Sequence, residues 1–578
     1  MTVRSESRTI SRSLLAVLPG IPAISPVVAV LVAILLVLIV PPAIFLLRIS
    51  VHETLPDGSL GPFTLRFYES LFTGRFFLPS LYNTMIYSLG SAVIAIVIGT
   101  VQALIVERTN TPGRNLAFFA AILSLGVPHI LYTVAWLLLL GRSGPLNDLI
   151  AFVTQQPQAI NVYSMWGMIL IEGIGFVPLT FLLMSAVFRS MDASFEEAAI
   201  VAGASPLRAF WEVTLGMGVP AICALAMLIF IRTFESFEVP ALVGLAGNIN
   251  VLTTTIYQSA RRTGAPNYGE SGAYSICLVL IVTVLLIWQN NLARNAHRYQ
   301  TITGKGFRPR IVDLGAWRYL CSALLFVLFL LVTVIPAAIL VFTSFLPFYD
   351  GVSLESFGRM SLDNYAVLFG PGSFRDSIVN TLILGASTAT IVVPFTALCA
   401  WLVVRQVKGA VLLDHLTMLP LVFPAIILGV AFLNIFVNMP LPLYGTLLSI
   451  IIASSVRYLS YGMRYAYAGA LQIQPDLEGQ ASVSGASGVS VFRRIVLPLL
   501  APTLINAWLL VFLLAVQAVS LPLLLVGPGS EVMAVTLFEL WQNGQVTELA
   551  SMGVLWMLLM TAVSAIFHML TRQHQMNA

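Results

Sequence analysis

Glu197-Ala198-Ala199-Ile200-Val201-Ala202-Gly203-Ala204-Ser205-Pro206 returns, 282 residues on from Gly203 to Gly485, as Gly479-Gln480-Ala481-Ser482-Val483-Ser484-Gly485-Ala486-Ser487-Gly488. The second copy continues to Ile495-Val496-Leu497-Pro498. Both copies are short polar stretches between long apolar runs, and their separation is close to half of the 578 residues. A polar loop duplicated in this way predicts a duplicated membrane fold with two docking points for a soluble machine.

The loops carry helix punctuation. Ser194-Phe195-Glu196-Glu197 fits a capping box, with a hydroxyl at the cap and a carboxylate three residues on. Glu196 and Glu197 suit the positive end of a helix. Gly203 can end that helix in a left-handed conformation, and Ser205-Pro206 can start the next. In the second loop Asp476 is the expected cap, Gly485 the turn and Ser487 the restart. A solvated connection that merely reverses the chain would be punctuated in the same way.

Composition sets the solvent. The chain is 58% hydrophobic and 9% charged, against about 25% charged residues in soluble domains, and its mean hydropathy is +0.93. So much apolar surface calls for lipid. The net charge of +4 is scattered over loops, which argues against a nucleic-acid surface. Cys223, Cys277, Cys321 and Cys399 all lie in apolar runs and read as small core hydrophobes. The basic start (Arg4, Arg8, Arg12) leads into an apolar run long enough to span and stay, so no cleaved leader is expected.

Twelve runs approach the ~20 apolar residues of a spanning helix: 26–47, 85–106, 116–140, 163–187, 213–231, 272–288, 319–345, 378–404, 411–436, 444–468, 495–519 and 551–569. Each is expected to be a helix, because backbone groups in hydrocarbon must pair internally. Kinks or breaks are expected near Pro128, Pro178, Pro220, Pro394 and Pro424. With both termini on the cytoplasmic side, the cytoplasmic segments hold 18 of the 29 Lys+Arg residues, counted along the sequence. That is the positive-inside pattern.

Further matches keep the order of the two loops. Asn83-Thr84 corresponds to Asn380-Thr381, Pro128 to Pro424, Pro240 to Pro522, and Thr255-Ile256-Tyr257 to Thr536-Leu537-Phe538. The offset falls from 297 to 282, as one extra stretch near 141–162 would produce. The predicted architecture is an all-α polytopic membrane protein of about twelve transmembrane helices in two parallel six-helix repeats. It divides into an amino-terminal segment 1–25, a first module 26–290, a basic linker 291–318 and a second module 319–578.

Glu-Ala-Ala, three residues, Gly, nine residues and Ile-x-Leu-Pro is a pattern that resembles the signature of permeases in binding-protein-dependent ABC importers. The fused layout, with Phe234-Glu235-Ser236-Phe237-Glu238-Val239-Pro240 and Tyr458-Leu459-Ser460-Tyr461-Gly462-Met463-Arg464, is similar to the iron(III)/thiamine-type permeases. The resemblance implies a type I ABC importer transmembrane fold, in the bacterial cytoplasmic (inner) membrane. It implies that each loop is a coupling helix seated in a cytosolic ATPase, a role carried to Glu197, Ala198, Ala199 and Gly203 and to Glu478, Ala481 and Gly485. It further implies two ABC ATPase subunits, a periplasmic or extracellular solute-binding protein and a small-molecule cargo such as iron(III), thiamine, a phosphonate or a polyamine. The copies depart from the pattern. Gly216 stands where the family has proline, and Gly479-Gln480 where it has Glu-Ala, with Glu478 one residue earlier. The second loop is therefore expected to bind less tightly or in a shifted register.

The chain is not expected to be an enzyme. A Walker A loop needs G-x-x-x-x-G-K-[ST], and neither of the two lysines, Lys305 and Lys408, fits it. ATP and magnesium are expected on the partner ATPase, with no cofactor in this chain. The six histidines are dispersed, and no metal site is expected.

Ionisable residues inside a membrane are expensive and mark function. Glu172 lies in the fourth run, and Arg457 and Arg464 in the tenth. The repeat sets Arg457 opposite Gly175, one helical turn from Glu172, so Glu172 and Arg457 are expected to line the pathway, latch it as an ion pair, or form a purely structural pair. Arg464 is expected to reach the inner interface. Glu235 and Glu238 are expected on the outer side after the fifth run, guiding a cation, holding the docking protein or simply solvated. An ion-coupled secondary transporter is the alternative function; it leaves the twin loops without a role.

Overall fold

The computed structural model describes residues 25–55, 60–156, 160–261, 267–297, 311–368 and 373–577. The predicted amino-terminal segment and most of the basic linker, including Lys305, lie outside the described residues.

The first half runs through α1 (Pro26–Ser50), α2 (Phe77–Arg108), α3 (Arg114–Leu125), α4 (His129–Leu140), α5 (Met165–Arg189), α6 (Ala193–Val201), α7 (Gly216–Phe234), α8 (Leu252–Ala260) and α9 (Tyr268–His297). The second half repeats the order. It comprises α10 (Trp317–Phe329) continued by α11 (Ile335–Ser344), α12 (Ser373–Val404), α13 (Val411–Met418), α14 (Ala425–Asn438), α15 (Leu447–Ala470), α16 (Pro475–Val483), α17 (Leu497–Gln517), α18 (Met533–Gln542) and α19 (Val546–Asn577). A small hairpin, β1 (His52–Thr54) with β2 (Leu60–Phe63), follows α1.

All twelve predicted spans fall on helices, but not on twelve uninterrupted ones. Among the described residues nine helices are long and apolar enough to cross a membrane, or eleven if two bent pairs are each one span. The bent pairs are α3 with α4, at 104°, and α13, through Val422, with α14, at 100°. The breaks sit at Pro128 and Pro424, whose ψ values of 135° and 146° are extended. A proline has no N–H to give the preceding turn, so the backbone is free to swing there. The other three prolines do not break their helices: Pro178, Pro220 and Pro394 lie inside α5, α7 and α12. The tenth predicted span is α15. It is helical throughout, but its serines, tyrosines and arginines keep it out of the apolar set.

Each half is built on a tight pair, α2 with α5 and α12 with α15. Glycine lets these helices close up. A Cβ at Gly99 would lie 2.6 Å from Thr180, and one at Gly462 2.7 Å from Thr396. The repeat also extends to polar detail. Ser164 caps α5 by accepting from Gly167 N, and Thr446 caps α15 by accepting from Ser449 N. The Asn83 amide donates to Asn250 O and the Asn380 amide to Glu531 O, while Thr84 and Thr381 hydroxyls accept from Leu252 N and Met533 N.

The halves exchange their first helices. α1 packs on α13 and α14 of the second half, and α11 packs on α4 of the first. Ser25 N donates to Lys408 O, and the Tyr349 hydroxyl to Leu138 O. One continuous core of apolar side chains consequently crosses the boundary between the halves.

Candidate functional site

The two duplicated loops fold into the same corner. α6 and α16 end through identical hydrogen bonds: Ala202 N to Ala198 O and Ala204 N to Ala199 O in the first, Ser484 N to Gln480 O and Ala486 N to Ala481 O in the second. Gly203 (φ +97°) and Gly485 (φ +86°) occupy the left-handed position that this ending requires. Ser205 and Ser487 then cap the restart by accepting from Arg208 N and Ser490 N. A wide π turn follows in each, Phe210–Leu215 and Phe492–Val496, before α7 and α17 begin. The hydrogen-bond register of the second corner is not shifted, despite Gly479-Gln480.

The starts of these helices differ from expectation. Asp192, not Ser194, caps α6, accepting from Ser194 N. Gln474 precedes α16 without a side-chain cap bond, and Asp476 lies in its first turn behind Pro475. Proline at the first position supplies the fixed φ that a capping side chain would otherwise favour.

What anchors each corner is the glutamate one residue ahead of the Glu197/Gly479 position. Glu196 is buried and pairs with Arg108 at the end of α2, and the Thr214 hydroxyl joins the same carboxylate. Glu478 pairs with Arg405 at the end of α12 at 2.6 Å and accepts from Trp401 Nε1 at 3.0 Å. Glu197, by contrast, is exposed, as are Ala198, Gly203 and Gly485, while Ala199 and Ala481 are half-buried. Phe195 and Val201 on α6, and Leu477 and Val483 on α16, also stand exposed at repeat-equivalent places. A Cβ at Gly203, Gly479, Gly485 or Gly488 would meet nothing within 4 Å. Each corner therefore offers an apolar tip on a helix pinned from behind by an ion pair. The first corner has an additional brace: Glu107, buried, holds Arg189 at 2.7 Å and Arg114 at 2.8 Å.

The membrane charges pair differently from the sequence reading. Glu172 is buried but does not meet Arg457; its Oε2 lies 2.8 Å from His129 Nε2, the first residue after the α3–α4 break. Arg457, near the middle of α15, reaches Glu235 of the first half at 3.7 Å. It also donates to Pro420 O and Phe423 O, carbonyls released by the α13–α14 break. Repeat symmetry accounts for the difference: Gly175 stands where the second half has Arg457, and a Cβ there would already lie 3.0 Å from His129. The first half fills with an imidazole the space that the second fills with a guanidinium.

Glu235 and Glu238 are not solvated outer-loop charges. Both are partly buried between the halves, and Glu238 accepts from Ser520 of the second half at 3.4 Å. Arg232 of α7 donates to the Tyr461 hydroxyl of α15 at 2.5 Å. Tyr257 and Phe538, themselves repeat mates, meet edge to face with centroids 6.5 Å apart. Arg464 is exposed. Of the cysteines, Cys399 is buried and Cys223 exposed. Among the described residues no three His, Cys, Asp or Glu side chains converge as a metal site would need.

Comparison with known proteins matches the two halves separately. The family model described as "Binding-protein-dependent transport system inner membrane component" matches residues 95–298 and again 392–574. The ferric transport system permease protein FbpB of Actinobacillus pleuropneumoniae is 26% identical over 496 residues, 84% of this chain and 70% of that protein. The putative ferric transport system permease protein FbpB 1 of Haemophilus influenzae is 27% identical, covering 80% of this chain and 72% of its own. The putative 2-aminoethylphosphonate transport system permease protein PhnU of Salmonella typhi is 27% identical but covers 40% of this chain and 77% of its own. A solved bacterial ABC transporter involved in the import of the acidic polysaccharide alginate overlaps 44% of this chain and 96% of its own, at TM-score 0.36 and 18% identity. With two copies of the family's domain spanning most of its length, this all-α polytopic membrane protein belongs to the binding-protein-dependent transport system inner membrane components, the permeases of ABC importers.

Proposed function

We propose that this chain supplies both permease halves of an ATP-driven importer for a small solute, with iron(III) as the cargo. The modules are 26–290 and 319–578, joined by 291–318. Both termini lie on the cytoplasmic side of the inner membrane, and the two corners project there. Each corner seats in one of two cytosolic ABC ATPase subunits, which bind the ATP and magnesium. A soluble binding protein delivers solute to the opposite face, and ATP binding draws the corners together so that access alternates between the two sides. The iron reading rests on the names of the two ferric relatives, which span both halves.

One observation carries the proposal: the two corners have the same hydrogen-bond register, the same left-handed glycine and the same exposed apolar tip. Two matching grips suit a motor of two like subunits. An ion-coupled transporter has no use for them.

The test is disulfide or bifunctional crosslinking from cysteines placed at Val201 and Val483 in membranes containing the whole system. Capture of a nucleotide hydrolase at both positions is the expected result. Capture at neither, in membranes that still import solute, overturns the proposal.

A further inference from the structure

The first half contains a polar group that the second half lacks. Glu172 is fully buried, and while Oε2 bonds His129, Oε1 has no partner. Tyr87 is also fully buried, and its hydroxyl lies beside Glu172 and Ser236 without reaching good hydrogen-bond geometry to either. Tyr132 lies one helical turn beyond His129, ring centroids 6.2 Å apart, and its hydroxyl is likewise unpaired. The Ser236 hydroxyl has no partner either. His129 keeps 32% of its side chain accessible.

The repeat supplies the control. Leu384, Ala425 and Leu428 stand at the places of Tyr87, His129 and Tyr132; Ser454 and Ala518 stand at those of Glu172 and Ser236. The second half folds to the same architecture without these groups, so the architecture does not require them. In a bundle surrounded by lipid each unsatisfied buried polar group is costly, and a carboxylate more so. An occupant that satisfies them offsets this cost.

The chemistry of the donors selects the occupant. A carboxylate, two phenols and a hydroxyl are hard oxygen ligands, and one imidazole joins them. Glu238 lies close enough to act electrostatically on His129 and Tyr87. Among the described residues neither Glu172 nor Glu238 has an arginine or lysine within salt-bridge distance. An anion would be repelled here. A small, highly charged metal cation suits oxygen donors, and both tyrosinate and histidine ligate iron in proteins.

We propose that Glu172, Tyr87, Tyr132 and His129 form a transit site for Fe(III) within the first half, bordering the second half at Glu238 and Ser520. The proposal rests on the iron reading above. A phenol that ligates the ion passes its proton to a water of the ion's own hydration shell, and that shell gives up a water as the O–Fe bond forms; iron stays Fe(III). The donor set is sparse compared with a storage cage, as a site that must also release its cargo requires.

The experiment uses the complete transporter in lipid nanodiscs and proteoliposomes, with the ATPase and the binding protein. Fe(III) citrate is the spectroscopic probe, and iron-loaded binding protein the donor for import. The wild type is expected to import iron and to show the visible charge-transfer band of a phenolate bound to Fe(III). Tyr87→Phe should abolish or strongly reduce the band. Glu172→Gln should weaken iron retention by at least roughly tenfold, the low end of what losing even an outer partner of a metal ligand costs, and slow import. Both substitutions preserve shape; should either fail to fold, the presence or absence of the wild-type band decides. A wild type that imports iron without the band, or variants that import at the wild-type rate, overturns the site and leaves a water pocket. A wild type that imports another solute and not iron overturns the iron reading, and the site with it.

Discussion

Arg108 and Glu196 form a buried ion pair that ties the end of α2 to the first turn of α6, and Arg405 with Glu478 repeats it between α12 and α16. Each pair joins a helix of the tight core of its half to the corner that carries the exposed tip. In the importer proposed above, such a link would pass displacement of the corner to the core.

Removing one partner of a buried pair leaves an uncompensated charge and typically costs about 3–5 kcal/mol. Glu196→Ala is expected to lower the melting temperature of the purified complex and to cut solute import more than ATP hydrolysis. Arg108→Ala combined with Glu196→Ala should recover part of the stability lost in either single variant. The second pair is more accessible, so Glu478→Ala should cost less. Strictly additive losses in the Arg108/Glu196 cycle would show that the two side chains are not energetically coupled.

Arg457 does two jobs at once: it answers Glu235 across the interface between the halves, and it satisfies carbonyls at the Pro424 break. Arg457→Leu forfeits both and should destabilise the protein by several kcal/mol, consistent with about 3–5 for breaking a buried pair. Glu235→Gln forfeits only the weaker contact at 3.7 Å, and should be tolerated in yield and melting temperature. Equal damage from the two substitutions would mean that the ion pair, and not the bonds at the break, is what matters.

In the linker just ahead of the second half, Val312 pairs with Thr109, just past α2, as a parallel bridge: Val312 N donates to Arg108 O and Asn110 N to Val312 O. The Gly315 N–H and the Asn110 amide donate to Asp313 and hold its carboxyl below the usual carboxylate range. A depressed folded-state pKa contributes stability above the unfolded value of about 3.9, and the contribution is lost as pH falls through the lower, folded value. Hydrogen exchange at Val312 and Asn110, corrected for intrinsic rates, should therefore stay flat from pH 7 to about 5 and rise only below about 4. Asp313→Asn should remove that acid step. A step centred near neutral pH would assign the change to another group.

Much of the fold was legible because the chain states it twice. Asn83-Thr84 and Asn380-Thr381 make the same bonds to the same places, and Pro128 and Pro424 break the same spans. Gly203 and Gly485 adopt the left-handed conformation that their spacing suggested. Finer placement was not legible. Glu196 and Glu197 are neighbours in sequence but about 100° apart around a helix, and the sequence does not state which of them faces Arg108. The motif glutamate is the exposed one, and the structural anchor is recognisable only from its repeat mate Glu478 and the matching Arg108 and Arg405. Glu172 paired with His129 because Gly175 leaves room for a ring, a consequence of packing that spacing alone does not report. Pro178, Pro220 and Pro394 stay helical because neighbouring packing can absorb a missing N–H where no further signal favours a turn.

The exchange of α1 and α11 means that neither half is a finished object. Cut at the linker, the first half would present to lipid the side of α1 shaped for α13 and α14, and the second half would lose its lid over the Pro424 break. Fusion into one polypeptide keeps the two complementary pieces at a fixed one-to-one ratio and in the same patch of bilayer from synthesis onward, so neither has to search for a mate while its seam lies open.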